Sequence, residues 1–201
     1  MGGRDLRIIN NRDFFLNELF WAVWVLIFNR SHILENHLQF TRISVSEDTI
    51  FNTEYLLSGR YNVGILNADI YRYVTNPLSV TNDLTSDNGK NKKVINSYTE
   101  AFKSYDILAS SYKSDQPVYQ RIKWLVTKNI PVIFIRIINT KLSISELLTI
   151  KQDLVKSQAI PISADSEIII RFEGFLLNHP LLLRLSSVIY RIYKRQIRCT
   201  D

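Results

Sequence analysis

Residues 132–138 form an apolar run that is β-branched apart from Phe134 and Arg136. It follows an amphipathic stretch ending at Lys128, a short turn, and Pro131, whose missing N–H costs little at the first position of a strand. The pattern predicts a helix, a turn and a strand covered on both faces, the repeating unit of an α/β layered domain.

The same reading extends along the chain. Asp13 caps a first helix ending near Asn29, and residues 30–54 read as irregular and polar. Residues 62–67 form a second strand, and Ile70 opens a helix that Pro77 stops. Residues 79–93 are a polar, turn-forming loop, followed by a short helix over 94–102 and a third strand over 105–109. Pro117 suits the first turn of the helix running to Lys128. Ser143 and Glu146 have the spacing of a capping box that opens a helix to about Lys156. Residues 159–162 read as a short strand, and Ser163 or Asp165 caps a helix through Leu177. The Asn178-His179-Pro180 break then releases a last helix over 181–198.

Composition narrows the class. Apolar content of 46% and charged content of 22% fit a globular chain, long enough for one packed domain. A single cysteine, Cys199, rules out an internal disulfide framework. Net charge is +6, unevenly placed: residues 1–115 hold 12 basic and 13 acidic side chains, and residues 116–201 hold 13 basic and 6 acidic. The basic half suits a polyanion, although a solvated basic face has the same composition. With 26 Ile, 16 Asn and 6 Ala, the residue usage favours A/T-rich codons, as in organelle genomes, some bacteria and protists. The first dozen residues, with Asp5, do not resemble a transit peptide.

Residues 14–28 are the strongest candidate for a membrane segment. They are shorter than the roughly 20 residues a bilayer requires, and they include Asn17 and Glu18. A buried or partner-docked helix is the expected form, with Trp21, Trp24 and Phe28 as docking residues and no membrane partner.

In the last helix, Arg184, Arg191, Arg195 and Arg198 are spaced 7, 4 and 3 apart and so share one stripe, with Lys194 beside it. Leu181, Leu185, Val188, Ile189 and Ile192 occupy a neighbouring face. The expectation is that the apolar face packs and the guanidinium stripe meets phosphate. Basic residues also collect near helix C-termini for the dipole alone.

Catalytic motifs are not evident. Gly59 and Gly64 stand apart from any phosphate-binding loop pattern. His32, His37 and His179 lack metal-ligand spacing, and Cys199 is poorly placed for a nucleophile. Asp69, Asp106 and Asp165 fall near predicted strand ends but suit turns and caps equally well. Neither an enzyme, a cofactor, a metal nor a small-molecule substrate is expected.

Several segments, in order, resemble the bacterial-type small-subunit ribosomal protein number two family. Residues 55–70 (YLLSGRYNVGILNADI) are similar to its "Y-I-x-G-x-R-N-G-I-x-I-I-D-L" strand. His37-Leu38-Gln39-Phe40-Thr41-Arg42 resembles its "H-F-G-H-x-T-R" loop, without the second His. Residues 105–108 and 129–133 resemble its "P-D-L-L … G-I-P-V-I-A-L" unit, and residues 160–166 its "Y-P-I-P-x-N-D" element. The likeness touches about half the chain. The family's second strand–helix unit and coiled-coil arm are missing or reduced to residues 78–104, residues 143–156 lengthen a link, and Ile137-Ile138-Asn139-Thr140 replaces its "V-D-T".

The resemblance implies a Rossmann-like, mostly parallel sheet flanked by helices, binding ribosomal RNA, and makes Arg42, Arg60 and Asn62 candidate contacts. The resulting expectation is a single α/β domain over 1–201, with a hydrophobic docking helix within 1–30 and a basic helix over 181–201. Its role would be structural, in a mitochondrial small ribosomal subunit and encoded in the organelle, with rRNA and neighbouring ribosomal proteins as partners. The competing role is an accessory subunit of a respiratory membrane complex, with residues 14–28 packed on integral subunits.

Overall fold

The computed structural model describes residues 6–18, 22–66, 74 and 88–198, and the side chains of 193–198 lie outside that description. The chain divides into two compact units, Met1–Ser79 and Val80–Asp201.

In the first unit, β1 (Leu6–Asn10) pairs antiparallel with β2 (Asn62–Leu66), Ile8 opposite Gly64 and Asn10 opposite Asn62. Helix α1 (Asn11–Asn17) is capped by the Asn10 side chain, which accepts from the Asp13 amide. The chain leaves helical geometry at Glu18, and among the described residues between there and Asn29 the helical element is a 3-10 turn at Val23–Val25. The expected continuous docking helix is therefore broken. Helices α2 (Arg30–Glu35) and α3 (Glu47–Leu57) occupy both ends of the stretch read as irregular, and residues 36–46 between them are irregular. Asn11 ties these pieces together. Its buried amide donates to the Leu56 and Gly59 carbonyls at 2.6 and 2.8 Å, and its Oδ1 accepts from the Tyr61 amide at 3.1 Å.

An aromatic cluster fills this unit. Phe28 meets Phe51 and Tyr55 edge-on, Phe40 stacks on Phe51 at 4.2 Å, and His32 lies between Tyr55 and Tyr61. Burial, with Tyr55 adding to it, pushes the Tyr61 hydroxyl far above its usual pKa. That hydroxyl donates to the Tyr55 carbonyl at 2.7 Å.

The regular elements described in the second unit are all helices: α4 (Asn88–Ser110), α5 (Gln116–Lys128), α6 (Ile130–Asn139), α7 (Ile144–Lys156), α8 (Ile168–Asn178) and α9 (Pro180–Arg198). Along α4 the buried positions Asn91, Val94, Ile95, Tyr98, Ala101, Phe102, Tyr105 and Ala109 repeat at three and four residues, making a stripe that packs on α5, α6 and α7. These helices answer with Ile122 and Leu125, Ile133 and Ile137, and Ile150 and Leu154.

The expected Rossmann-like parallel sheet is therefore wrong. The described residues contain one two-stranded antiparallel ribbon and nine α-helices. Pro131 begins a helix, where its missing N–H is equally harmless. Ile130, Ile133 and Ile137 are buried while Val132 and Ile135 are exposed, a period of 3.6 residues and not a strand covered on both faces. Residues 105–109, read as a strand, continue α4, and residues 159–162 form no strand. The predicted helix opening at Ile70 falls almost wholly outside the described residues, as do residues 79–87 of the predicted loop, while residues 88–93, also read as loop, begin α4.

Other local signals hold. The Ser143–Glu146 capping box opens α7, with the Glu146 amide donating to Ser143 Oγ at 3.2 Å and the Ser143 amide donating to Glu146 Oε2 at 2.7 Å. Pro117 lies in the first turn of α5, behind the Asp115 cap. Helix α8 ends at the predicted break, starting later than expected with Glu167 before it.

Candidate interaction surface

The C-terminal hairpin is assembled from α6 outward. Helix α6 ends at Asn139, so its last carbonyls lack helical partners. Two side chains of α9 supply them. Ser187, itself buried, donates from Oγ to the Ile138 carbonyl at 2.9 Å, and Arg191 donates from Nη1 to the Thr140 carbonyl at 2.9 Å. Leu183 is buried on the same side of α9.

This inverts the expected packing of the last helix. Its inward side holds Leu183, Ser187 and Arg191, and the apolar face is left outside. Leu181, Leu185 and Ile189 are 69, 60 and 65% exposed, with Leu182, Val188 and Ile192 also uncovered. The neighbouring α8 adds exposed Ile168, Ile169, Phe172 and Phe175. Exposed apolar side chains gathered in this way make the hairpin the candidate interaction surface. Gly174 sits on the buried side of α8, where a Cβ would fall 2.3 Å from Ile162 Cγ1.

The guanidinium stripe is therefore divided. Arg191 is turned to a carbonyl, and Arg184 is exposed. Lys194, Arg195 and Arg198 continue the helix, with side chains outside the description. In the first unit, Arg42, Arg60 and Asn62 are all exposed, Arg60 in the turn before β2 and Asn62 at its start. Trp24 is exposed at the 3-10 turn, Phe28 is spent in the aromatic cluster, and Trp21 lies outside the described residues.

Charge follows the two units. Met1–Ser79 carries 7 basic and 8 acidic side chains, and Val80–Asp201 carries 18 basic and 11 acidic, or −1 against +7. Lys93, Lys113, Lys141, Lys156 and Arg171 are exposed in the second unit, none of them singled out by the sequence pattern because they lie on different helices and loops. Trp124 carries Arg121 over its ring at 4.2 Å and Lys128 at 4.1 Å. Burial lowers the pKa of the Arg121 guanidinium from its usual range.

Several other titratable groups make local contacts. Lys123 pairs with Asp106 at 3.6 Å and donates to the Gln158 carbonyl at 3.1 Å. Burial lowers the Lys123 pKa against the opposing pull of Asp106. Arg136, 2% exposed, donates to Asn91 Oδ1 at 3.0 Å. His32 Nε2 shares a 2.7 Å hydrogen bond with Ser58 Oγ, and His179 Nδ1 donates to the Phe175 carbonyl at 2.7 Å. Asp165 is exposed in the turn before α8. A cleft of about 260 Å³ between α4 and α7 is lined by Lys92, Glu146 and Asp153 among others, and Lys92 and Glu146 pair across it at 2.5 Å. Among the described residues no group of three His, Cys, Asp or Glu is placed to hold a metal ion. No known protein family, curated protein or solved structure matches this chain.

Proposed function

We propose that this chain is a structural component of a ribonucleoprotein, the small subunit of a mitochondrial ribosome, contacting rRNA and neighbouring ribosomal proteins. The observation that carries the reading is the charge division: the helical unit holds +7 and displays lysines and arginines on several of its elements. Phosphate contacts of this kind position a protein on RNA without reading bases. Arg42, Arg60 and Asn62 on the first unit and Arg184 on the second are the proposed contacts, with Lys194, Arg195 and Arg198 beyond. The segments that resemble the ribosomal family suggested this reading, but the fold that resemblance implies is not the one found here, so the proposal rests on charge and surface.

Uncovered apolar rows suit a component whose neighbours complete it. They also favour a second reading, an accessory subunit packed on the integral subunits of a respiratory complex. Binding of the purified chain to small-subunit rRNA across a salt series separates the two. The ribosomal reading expects log affinity to fall against log salt with a slope of about −3 or steeper, each phosphate contact adding about 0.7 to 0.9. A flat salt dependence, with detergent needed to release the chain from its native assembly, supports the respiratory reading.

A further inference from the structure

We infer that the α8–α9 hairpin lies on an anionic lipid surface, its apolar row among the acyl chains and Arg184 at the headgroup phosphates. The hydrogen bonds from Ser187 to Ile138 and from Arg191 to Thr140 fix which side of α9 faces inward. Rolling the helix to bury Leu185 and Ile189 would break both. The row stays outside, and something must cover it.

Charge selects the occupant. From Arg184 to Arg198 the helix carries four arginines and one lysine, and no acid occurs between Glu173 and Asp201. Glu173 is only partly exposed. The exposed acids Asp165 and Glu167 precede α8, about 16 Å of helix away from the Pro180 corner. A second copy of the chain would set two basic helices against each other. Polynucleotide phosphate and sugar offer nothing that would bury Leu185 or Ile189. An anionic bilayer satisfies both halves of the face at once: apolar side chains sink into the interface while basic residues meet lipid phosphate. Lying on a bilayer differs from crossing it, and among the described residues no helix is long and apolar enough to cross one. Arg184 is shared with the proposed rRNA contacts, so the two readings are tested separately.

The test is co-sedimentation of the full chain with phosphatidylcholine vesicles, with and without about one-third phosphatidylglycerol. The double variant Leu185→Asp/Ile189→Asp and the single variant Arg184→Glu are carried alongside, each checked for helical circular dichroism. The wild-type chain should bind the anionic vesicles about tenfold more tightly than the neutral ones, and the double variant should lose about tenfold or more. R184E should reduce the preference for anionic lipid and keep the weaker binding to neutral vesicles. All positions changed are exposed, so folding should survive. Equal vesicle binding by the double variant overturns the inference. So does a wild-type chain that ignores vesicles, including one whose row instead holds two copies together. Binding of the wild-type chain to rRNA, measured without vesicles, tests the ribosomal reading separately, and its failure leaves the vesicle result standing.

Discussion

Arg191 on α9 donates from Nη1 to the carbonyl oxygen of Thr140 at 2.9 Å, closing the C-terminal end of α6. One turn earlier Ser187 does the same for Ile138. A polar face thus turns inward because a helix end needs donors, and an apolar face turns outward as the consequence. Ser187→Ala should therefore destabilise the second unit by about 1–2 kcal/mol, the cost of a buried carbonyl left without its donor. Urea unfolding followed by circular dichroism measures it, and the exposed Leu185→Ala in the same helix should change stability by well under half of that.

Gly174 is needed for contact, since the Ile162 side chain occupies the space of a Cβ. Gly174→Ala should cost about 1–3 kcal/mol as α8 is pushed from its seat. An added Ile162→Ala change should recover part of the loss, a coupling that a double-mutant cycle in urea reads directly.

Asn11 spends both ends of its amide on the turn between α3 and β2. Asn11→Asp places a second acceptor against the Leu56 and Gly59 carbonyls, so it should destabilise the first unit more than Asn11→Ala, which costs about 2–3 kcal/mol. Thermal unfolding of the two variants ranks them, and an Asp variant as stable as wild type would refute the assigned contacts.

Glu146 gives a pH dependence. Its hydrogen bond from Lys92, then those from the backbone and side chain of Ser143, pull its carboxyl from near 4.5 down to about 2. A depressed carboxyl pKa in the folded chain stabilises above the unfolded value and loses that contribution as pH falls through the folded one. The carboxylate is partly exposed, so solvent screening keeps the effect modest. The stability gap between wild type and Glu146→Gln should be full above pH 5, shrink between pH 4.5 and 2, and close near pH 2. Denaturant midpoints across that range provide the measurement.

What the sequence discloses is mostly local chemistry. The Ser143–Glu146 box, the Pro117 start and the break at His179-Pro180 depend on neighbours within a few residues, and each appears where the pattern puts it. The α6 segment was misread because a short apolar run fits a covered strand and a buried helix alike, and Pro131 suits the first position of either. The spacing of Ile130, Ile133 and Ile137 held the helical signal, with Arg136 buried beside them. Tyr98, Phe102, Tyr105 and Ala109 held it for α4. The inverted seating of α9 was not legible at all. It depends on carbonyls at the end of α6, about 50 residues upstream and joined to it only in the folded unit.

The most direct test of the proposed role is sedimentation of the tagged chain from a gently lysed organelle fraction, with and without ribonuclease, and mass spectrometry across the gradient. The chain should travel with small-subunit rRNA and its proteins in low salt and shift to the top after ribonuclease or molar salt. A chain that stays in a fast-sedimenting particle after complete RNA digestion, or whose particle contains no RNA, would contradict the account.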